Sequence, residues 1–385
     1  MYDGGFGGYP PGMLIHQVLV AAAPGDAITN EAREIRQRLR MAGTRSKIFA
    51  RYIDPALSDT VLPIDRYPEV AGADDAALLY HASIGEEAVT RFLLDRPEPL
   101  ALLYHNMSPA EPFARYDPAF AGKLTAGRRE LVALRDRVSL SLADSAFNAA
   151  DLATMGYEGT LVAPLIVDAS RLLAVPLHAE TVEWQSKVPG PVMLFVGQLL
   201  PHKQPHVLLQ AYHALVTYLL PEAHLFLVGA PRLPRYKECL QMFIQEMNLT
   251  KCGIIKSPVT ENELAAYYRR ADAVVTFSEH EGFCVPLLEA MAFGKPILAR
   301  AAGAVPETLG DAGLLIGERD GTMVAAEAMY EILTNEALRQ RFVERGAARL
   351  EQFRPDRSWA TMERHLSRLD GTPAALAGSP PAFTA

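Results

Sequence analysis

The residues best placed for chemistry lie in Ser278–Met291, "SEHEGFCVPLLEAM", where Glu281 and Glu289 stand eight positions apart around Gly282 and Pro286. The apolar run before them, "DAVVTFS", reads as a strand, so Glu281 belongs to the loop leaving that strand. Pro286 suits the first position of a helix, because it has no N–H to leave unpaired there and its φ is preset. That places Glu289 in the first turn and leaves the N–H groups of Leu287, Leu288 and Glu289 without intrahelical partners. Together with the helix dipole they form a site for an anion such as phosphate. Gly282 admits a ligand close to the backbone, and Phe283 and Cys284 line the same loop. Carboxylates repel a diphosphate but accept two hydrogen bonds each from vicinal hydroxyls, so the pair is assigned to sugar hydroxyls. Taken singly, Glu289 also fits a favourable charge near a helix start and Glu281 a solvated loop carboxylate.

The elements that position these residues follow from apolar patterning. "LIHQVLVAA", "SKIFARYI", "ALLYHAS", "LALLYHNMS" and "RVSLSLADS" read as strands, with helices over "NEAREIRQRLRMAG" and from about Ser145. After residues 162–191, which carry four prolines and weak periodicity, the pattern restarts with "VMLFVGQL", "AHLFLVGA", "CGIIKSPV", "DAVVTFS" and "KPILARA" separated by helical stretches. Strands alternating with helices at this spacing predict parallel sheets covered on both faces. The expected organisation is a leader at 1–12, an N-terminal domain at 13–165, a linker at 166–190 and a C-terminal domain at 191–355. A helix at 356–370 crosses back to the first domain, and a tail follows at 371–385. Such sheets bind ligands beyond the carboxyl ends of their strands, which directs attention to the loops there.

Composition narrows the function classes. Charged residues make up 21% of the chain and hydrophobic ones 49%, which fits a folded protein. The net charge of −8 argues against general nucleic-acid binding. Three cysteines without a CxxC pair, Cys239, Cys252 and Cys284, offer neither a disulfide framework nor a zinc site. They suit a reducing cytoplasm, the expected location. No apolar run approaches the ~20 residues of a membrane span. Two basic clusters, Arg36–Arg51 and Lys123–Arg137, would favour an anionic membrane surface. Interleaved Glu31, Glu34, Glu130 and Asp136 make a solvated helix face the stronger reading.

With these motifs in view, the chain resembles the retaining glycosyltransferases of family four, whose E-x7-E signature matches Glu281 and Glu289. The resemblance extends to "FVGQLLPHKQ", "VTENELAAYYRRAD" and "GKPILARAAGAVPETLGDAG". In the first half it extends to "GDAITNEAREIRQRL", "YHASIG", "YHNMSP" and "ADSAFNAADLATMGY", which look like a bacterial subgroup building cell-surface polysaccharides, often with mannose. It implies the GT-B fold, two Rossmann-like doubly wound α/β domains facing a central cleft. It implies Glu281 beside the donor sugar, Glu289 on the ribose hydroxyls and Lys203 on the diphosphate. Gly197, Gln198, Gly25 and Asp26 then lie along the donor phosphates, Ser257 to Val259 border the base, and His105 stands near the reacting carbon or acceptor. Where the family has an arginine after the glycine, this chain has Gln198, which donates hydrogen bonds without charge. No Asp-x-Asp pair is present, so neither a metal nor any other cofactor is expected. The reading is a hexosyltransferase that takes GDP-mannose first or a UDP-hexose second. Its expected acceptor is a saccharide or lipid-linked saccharide, with peripheral membrane contact through the N-terminal domain. The alternatives are a non-catalytic binding or scaffold module, which Gln198 motivates, and a sugar-nucleotide epimerase of the same fold. A nicotinamide oxidoreductase is weaker, because no GxGxxG follows the first strand.

Overall fold

The computed structural model describes residues 14–70, 76–230, 232–256 and 259–369. The chain divides into two units. The first comprises residues 1–110, 120–166 and 355–385, and the second residues 111–119 and 167–354.

The first unit is a seven-stranded sheet. Its strands are β1 (Leu14–Ala22), β2 (Ile48–Ile53), β3 (Leu62–Pro63), β4 (Ala76–Ala82), β5 (Leu100–Tyr104), β6 (Leu140–Ala143) and β7 (Leu161–Val162). They lie in the order β3-β2-β1-β4-β5-β6-β7, and every pairing is parallel. β4 and β5 are buried along their whole length, which is why they appear in the sequence as unbroken apolar runs rather than as alternation. On one face Ile15, Leu79, Leu103 and Leu142 pack with Ile35 and Leu39 of the helix Ala27–Met41. The C-terminal helix Pro355–Leu366 adds Met362 and Leu366 to the same cluster. Full burial of each such side chain contributes about 1.5–3 kcal/mol, enough to hold that helix on this unit.

The second unit is a six-stranded sheet of β8 (Val192–Val196), β9 (His224–Gly229), β10 (Cys252–Lys256), β11 (Ala273–Thr276), β12 (Ile297–Arg300) and β13 (Leu314–Ile316). The order is β10-β9-β8-β11-β12-β13, again wholly parallel. From β8 the chain first winds one way through β9 and β10. It then returns to start the other side with β11, so the sheet reverses direction between β8 and β11.

Three local expectations are corrected. The proline-rich stretch after residue 166 is not a bare linker. It forms a 3-10 helix, Ala169–Ala174, and an α-helix, Ala179–Ser186, both inside the second unit. Asp168 and His178 cap them, which supplies the order that periodicity did not reveal. Residues 111–119 also belong to the second unit, where the Phe113 ring lies 5.2 Å from His202 and Tyr116 5.1 Å from Tyr236. Finally, the helix after β11 begins at Val285, so Pro286 is its second residue and Glu289 its fifth, beyond the first turn. Cys284 causes the early start: it adopts φ +72° and its carbonyl accepts the Leu287 N–H at 3.1 Å. The Leu287 N–H is therefore turned back to the chain and is not offered to a ligand.

Candidate functional site

In a doubly wound sheet the crevice opens where the strand order reverses. In the second unit that point lies between β8 and β11, and the two loops leaving these strands carry most of the expected site.

The loop after β8 crosses the end of β9. The Gly197 N–H donates to the Val228 carbonyl at 3.0 Å and that of Leu199 to the Ala230 carbonyl at 3.1 Å. This crossing requires Gly229, since a Cβ there would lie 1.7 Å from the Gly197 carbonyl oxygen. A 3-10 turn, Pro201–Lys203, then carries Lys203 into the helix Pro205–Tyr218 through Gln204, which has φ +52°. The loop after β11 is tied to it, because the Glu279 N–H donates to the His202 carbonyl at 2.9 Å and Gln204 Nε2 to Glu279 Oε2 at 2.5 Å. The outcome is an ion pair across the reversal point, with Lys203 Nζ 2.6 Å from Glu281 Oε2 and both side chains largely buried. The Glu281 backbone is fixed from the opposite side. Its carbonyl accepts the Ala304 N–H at 2.9 Å, and Gly303 presses so close that a Cβ would lie 2.5 Å from that carbonyl.

Glu289 is half-buried on the helix Val285–Ala292. Its Oε2 accepts the Tyr268 hydroxyl at 2.5 Å. Tyr268 is buried and stacks on Phe293 at 5.1 Å, so the hydroxyl holds the carboxyl in one orientation. Burial pushes the Glu289 carboxyl above its ordinary pKa, opposed by the Tyr268 hydrogen bond and the Arg171 charge. Sequence reasoning missed Tyr268, which reads there as one of two adjacent tyrosines on an amphipathic helix.

The other expected donor residues distribute as follows. Gly197, Gln198 and Gly282 are half-buried in the two loops, and Val259 is half-buried at the exit of β10. Ser257 and Pro258, expected to border the base with Val259, lie outside the described residues. Phe283 is buried against Phe353, and its carbonyl accepts the Thr308 hydroxyl at 2.7 Å. Leu287 and Leu288 are buried side chains that fix the helix rather than face solvent.

In the first unit the strand order reverses between β1 and β4. Gly25 takes φ +74° in the turn after β1. Asp26 caps the helix Ala27–Met41, its Oδ2 accepting the Thr29 N–H and hydroxyl, each at 2.9 Å. His105 follows β5. Its side chain is 2% exposed, with Nδ1 3.0 Å from Asp144 Oδ2 and Nε2 2.9 Å from His81 Nδ1. The two imidazoles stack at 5.1 Å, and His81 Nε2 reaches Gln17 Oε1 at 2.9 Å. Both His105 nitrogens are therefore engaged inside the protein. Burial is the largest influence and opposes a charge on His105, but Asp144 first, then Glu31 and Asp26, raise its pKa on balance. Glu31 is buried nearby, with its Oε2 accepting the Ile166 N–H at 2.8 Å. Asp144, Glu31 and Gln17 were not legible as site residues, because they come from segments far apart in the chain.

Several residues of the basic clusters make internal contacts. Arg38 pairs with Glu34 and Asp356, Arg40 with the Ser46 carbonyl, Arg128 with Asp151, and Arg137 with the Arg96 and Glu98 carbonyls. Among the described residues no helix is long and apolar enough to cross a membrane.

Residues 179–349, within the second unit, match the family model described as glycosyl transferases group 1. The chain is similar to curated relatives named D-inositol 3-phosphate glycosyltransferase. It is 31% identical to that of Geodermatophilus obscurus over 222 residues, 55% of this chain and 49% of the relative. It is 30% identical to that of Corynebacterium glutamicum over 204 residues, 52% of this chain and 45% of the relative. The chain thus spans about half the length of the curated relatives it matches. Among solved structures it is similar to a sucrose-phosphate synthase from Thermosynechococcus elongatus, at TM-score 0.72 and 18% identity over 93% of this chain and 99% of that one. It is also similar to Anabaena HepE in complex with UDP and glucose, at TM-score 0.69 and 18% identity over 92% of this chain and 100% of that one. The fold is that of the GT-B glycosyltransferases, built from two Rossmann-like α/β units.

Proposed function

We propose that this chain is a retaining glycosyltransferase that moves a hexose from a nucleotide-diphosphate sugar to a hydroxyl acceptor without a metal. The observation that carries the proposal is the Lys203–Glu281 pair at the reversal point between β8 and β11, inside the segment matching the family model. An ammonium and a carboxylate 2.6 Å apart suit a ligand that is anionic at one end and hydroxylated at the other. Lys203 meets the leaving diphosphate as a point charge, with the start of the helix Val285–Ala292 adding its dipole. Glu281 accepts from the sugar hydroxyls and Glu289, held by Tyr268, from the ribose. The acceptor hydroxyl attacks the anomeric carbon on the face the diphosphate leaves, and a departing phosphate oxygen takes its proton, so no protein nucleophile is required. Gln198 contributes a hydrogen bond where an arginine would contribute charge.

GDP-mannose and a UDP-hexose are the donors proposed, and the UDP and UDP-glucose complexes of HepE support the second. The acceptor is a saccharide, free or lipid-linked, and the relatives' named substrate adds a phosphorylated inositol. The proposed place of action is the cytoplasm, at the inner membrane face for a lipid-linked acceptor.

The test replaces Lys203 and Glu289 separately by Ala and measures sugar transfer across a panel of nucleotide sugars. Loss of a preorganised group that stabilises developing charge costs about 10²–10³ in turnover, the result expected for Lys203→Ala. Unchanged turnover in both variants removes the site assignment. A well-folded chain that binds no nucleotide favours the scaffold reading instead.

A further inference from the structure

The hydrogen bonds behind His105 fix how many protons it carries. Gln17 Nε2 donates to the Ala32 carbonyl at 2.9 Å. A carbonyl oxygen only accepts, so the amide orientation is set and Gln17 Oε1 is the acceptor end. His81 Nε2, 2.9 Å from that oxygen, therefore carries a hydrogen. His81 is 1% exposed, and burial, then the neighbouring His105, holds its pKa well below the ordinary value. It is neutral, and its Nδ1 is a bare acceptor. His105 Nε2, 2.9 Å from that Nδ1, must then be the donor. The other nitrogen, Nδ1, faces Asp144 Oδ2 at 3.0 Å. Burial raises the Asp144 carboxyl while His105 draws it back down, and that carboxylate raises His105 in turn, so the shared proton rests on the nitrogen, whose ordinary pKa is about 2.6 higher. His105 thus holds two ring hydrogens and one positive charge.

The surrounding charges agree. Four titratable groups face His105: His81 from β4, Asp144 from the end of β6, Glu31 from the helix Ala27–Met41, and Asp26 at that helix's cap. Burial raises Glu31 to about 8, so it is uncharged at neutral pH, and among the described residues the carboxylate in hydrogen-bond contact with His105 is Asp144. The loop above is equally constrained. Asn106 takes φ +77° and donates to Asn148 at 2.7 Å. The Met107 N–H donates to the Tyr104 hydroxyl at 3.0 Å, which in turn donates to Asp151 at 2.6 Å. The residues that follow His105 are therefore held in place beside the charge.

We propose that His105 serves sugar transfer as a permanently charged imidazolium, its proton count set from behind by Gln17, His81 and Asp144 as positioning residues. This rests on the transferase reading above. The charge lies at the carboxyl edge of the first sheet, where it favours a phosphate-bearing ligand, and His105 neither gives nor takes a proton during turnover.

The test is nitrogen NMR of the full chain with 15N-labelled histidine, with His105 assigned by comparison with His105→Gln. Two protonated ring nitrogens on His105 from pH 6 to pH 8 are expected, whereas one unprotonated nitrogen at pH 7 overturns the proposal. In Asp144→Asn the second hydrogen is expected to leave below pH 7. Transfer should then fall on the order of tenfold as pH rises across that point, while the wild type shows no such step. Loss of the charge without a changed pH profile overturns the role. Should Asp144→Asn not fold, His81→Phe removes the acceptor for Nε2–H and is read the same way. A wild-type chain that transfers nothing, yet keeps both hydrogens, refutes the transferase reading and the catalytic use of the charge but not the proton assignment.

Discussion

Glu31 gives the sharpest test of the buried electrostatics in the first unit. It is 2% exposed, one oxygen accepts the Ile166 N–H at 2.8 Å, and the other has no hydrogen-bond partner among the described residues. Burial is the main cause of its raised pKa, opposed by His105 and reinforced by Asp144. A carboxyl whose folded value lies above its unfolded one binds more protons in the native state between the two values. Stability therefore falls as pH rises from 4.5 to about 8. At 1.36 kcal/mol per tenfold change in proton affinity, that interval corresponds to about 5 kcal/mol. Relaxation around the ionised carboxylate brings the expected loss to about 2–5 kcal/mol. Glu31→Gln keeps the shape and the Ile166 hydrogen bond and cannot ionise. Its stability by urea unfolding should match the wild type at pH 5 within about 1 kcal/mol and exceed it by about 2–5 kcal/mol at pH 8. Taking the difference between the two chains cancels other groups, such as His16, whose pKa is lowered to about 4 by burial and by Lys47, and whose contribution runs the opposite way. Parallel pH profiles for variant and wild type would refute the assignment of Glu31 as a buried neutral acid.

Two further outcomes are expected in the second unit. Gly303→Ala places a Cβ 2.5 Å from the Glu281 carbonyl at a residue with φ +57°. It should cost about 1–3 kcal/mol of stability and lower transfer by displacing Glu281, as checked by thermal unfolding and turnover together. Tyr268→Phe removes the hydroxyl that orients Glu289 at 2.5 Å. It should weaken nucleotide binding on the order of tenfold, equivalent to about 1.5 kcal/mol for a hydrogen bond to a charged group, with unchanged affinity as the opposing result.

The fold was legible because each central strand is buried on both faces and spells a short apolar run bounded by polar loops, as in "ALLYHAS" for β4 and "LALLY" for β5. β13 was not legible: three residues, Leu314–Ile316, give too short a pattern to separate from the flanking helices. The Glu281–Glu289 half of the candidate site was proposed from the sequence because its chemistry is local, within nine residues of one loop and helix. Its helix start was misplaced by one residue, since a cysteine at φ +72° is not a conformation that residue type announces. The His105 cluster was only partly legible. "LLYHNMSP" marks a histidine after a strand, but its partners Asp144, His81, Gln17 and Glu31 come from four other segments. The parallel register of β1, β4, β5 and β6, with the helix Ala27–Met41 packed on that sheet, brings them together.

The measurement that bears most directly on the function is calorimetric titration of the full chain with UDP and GDP, beside Glu289→Ala and Lys203→Ala. The account predicts one saturable site for a nucleoside diphosphate, weakened on the order of tenfold or more in each variant. A folded wild-type chain that binds neither nucleotide, or variants that bind as tightly as it does, would contradict it.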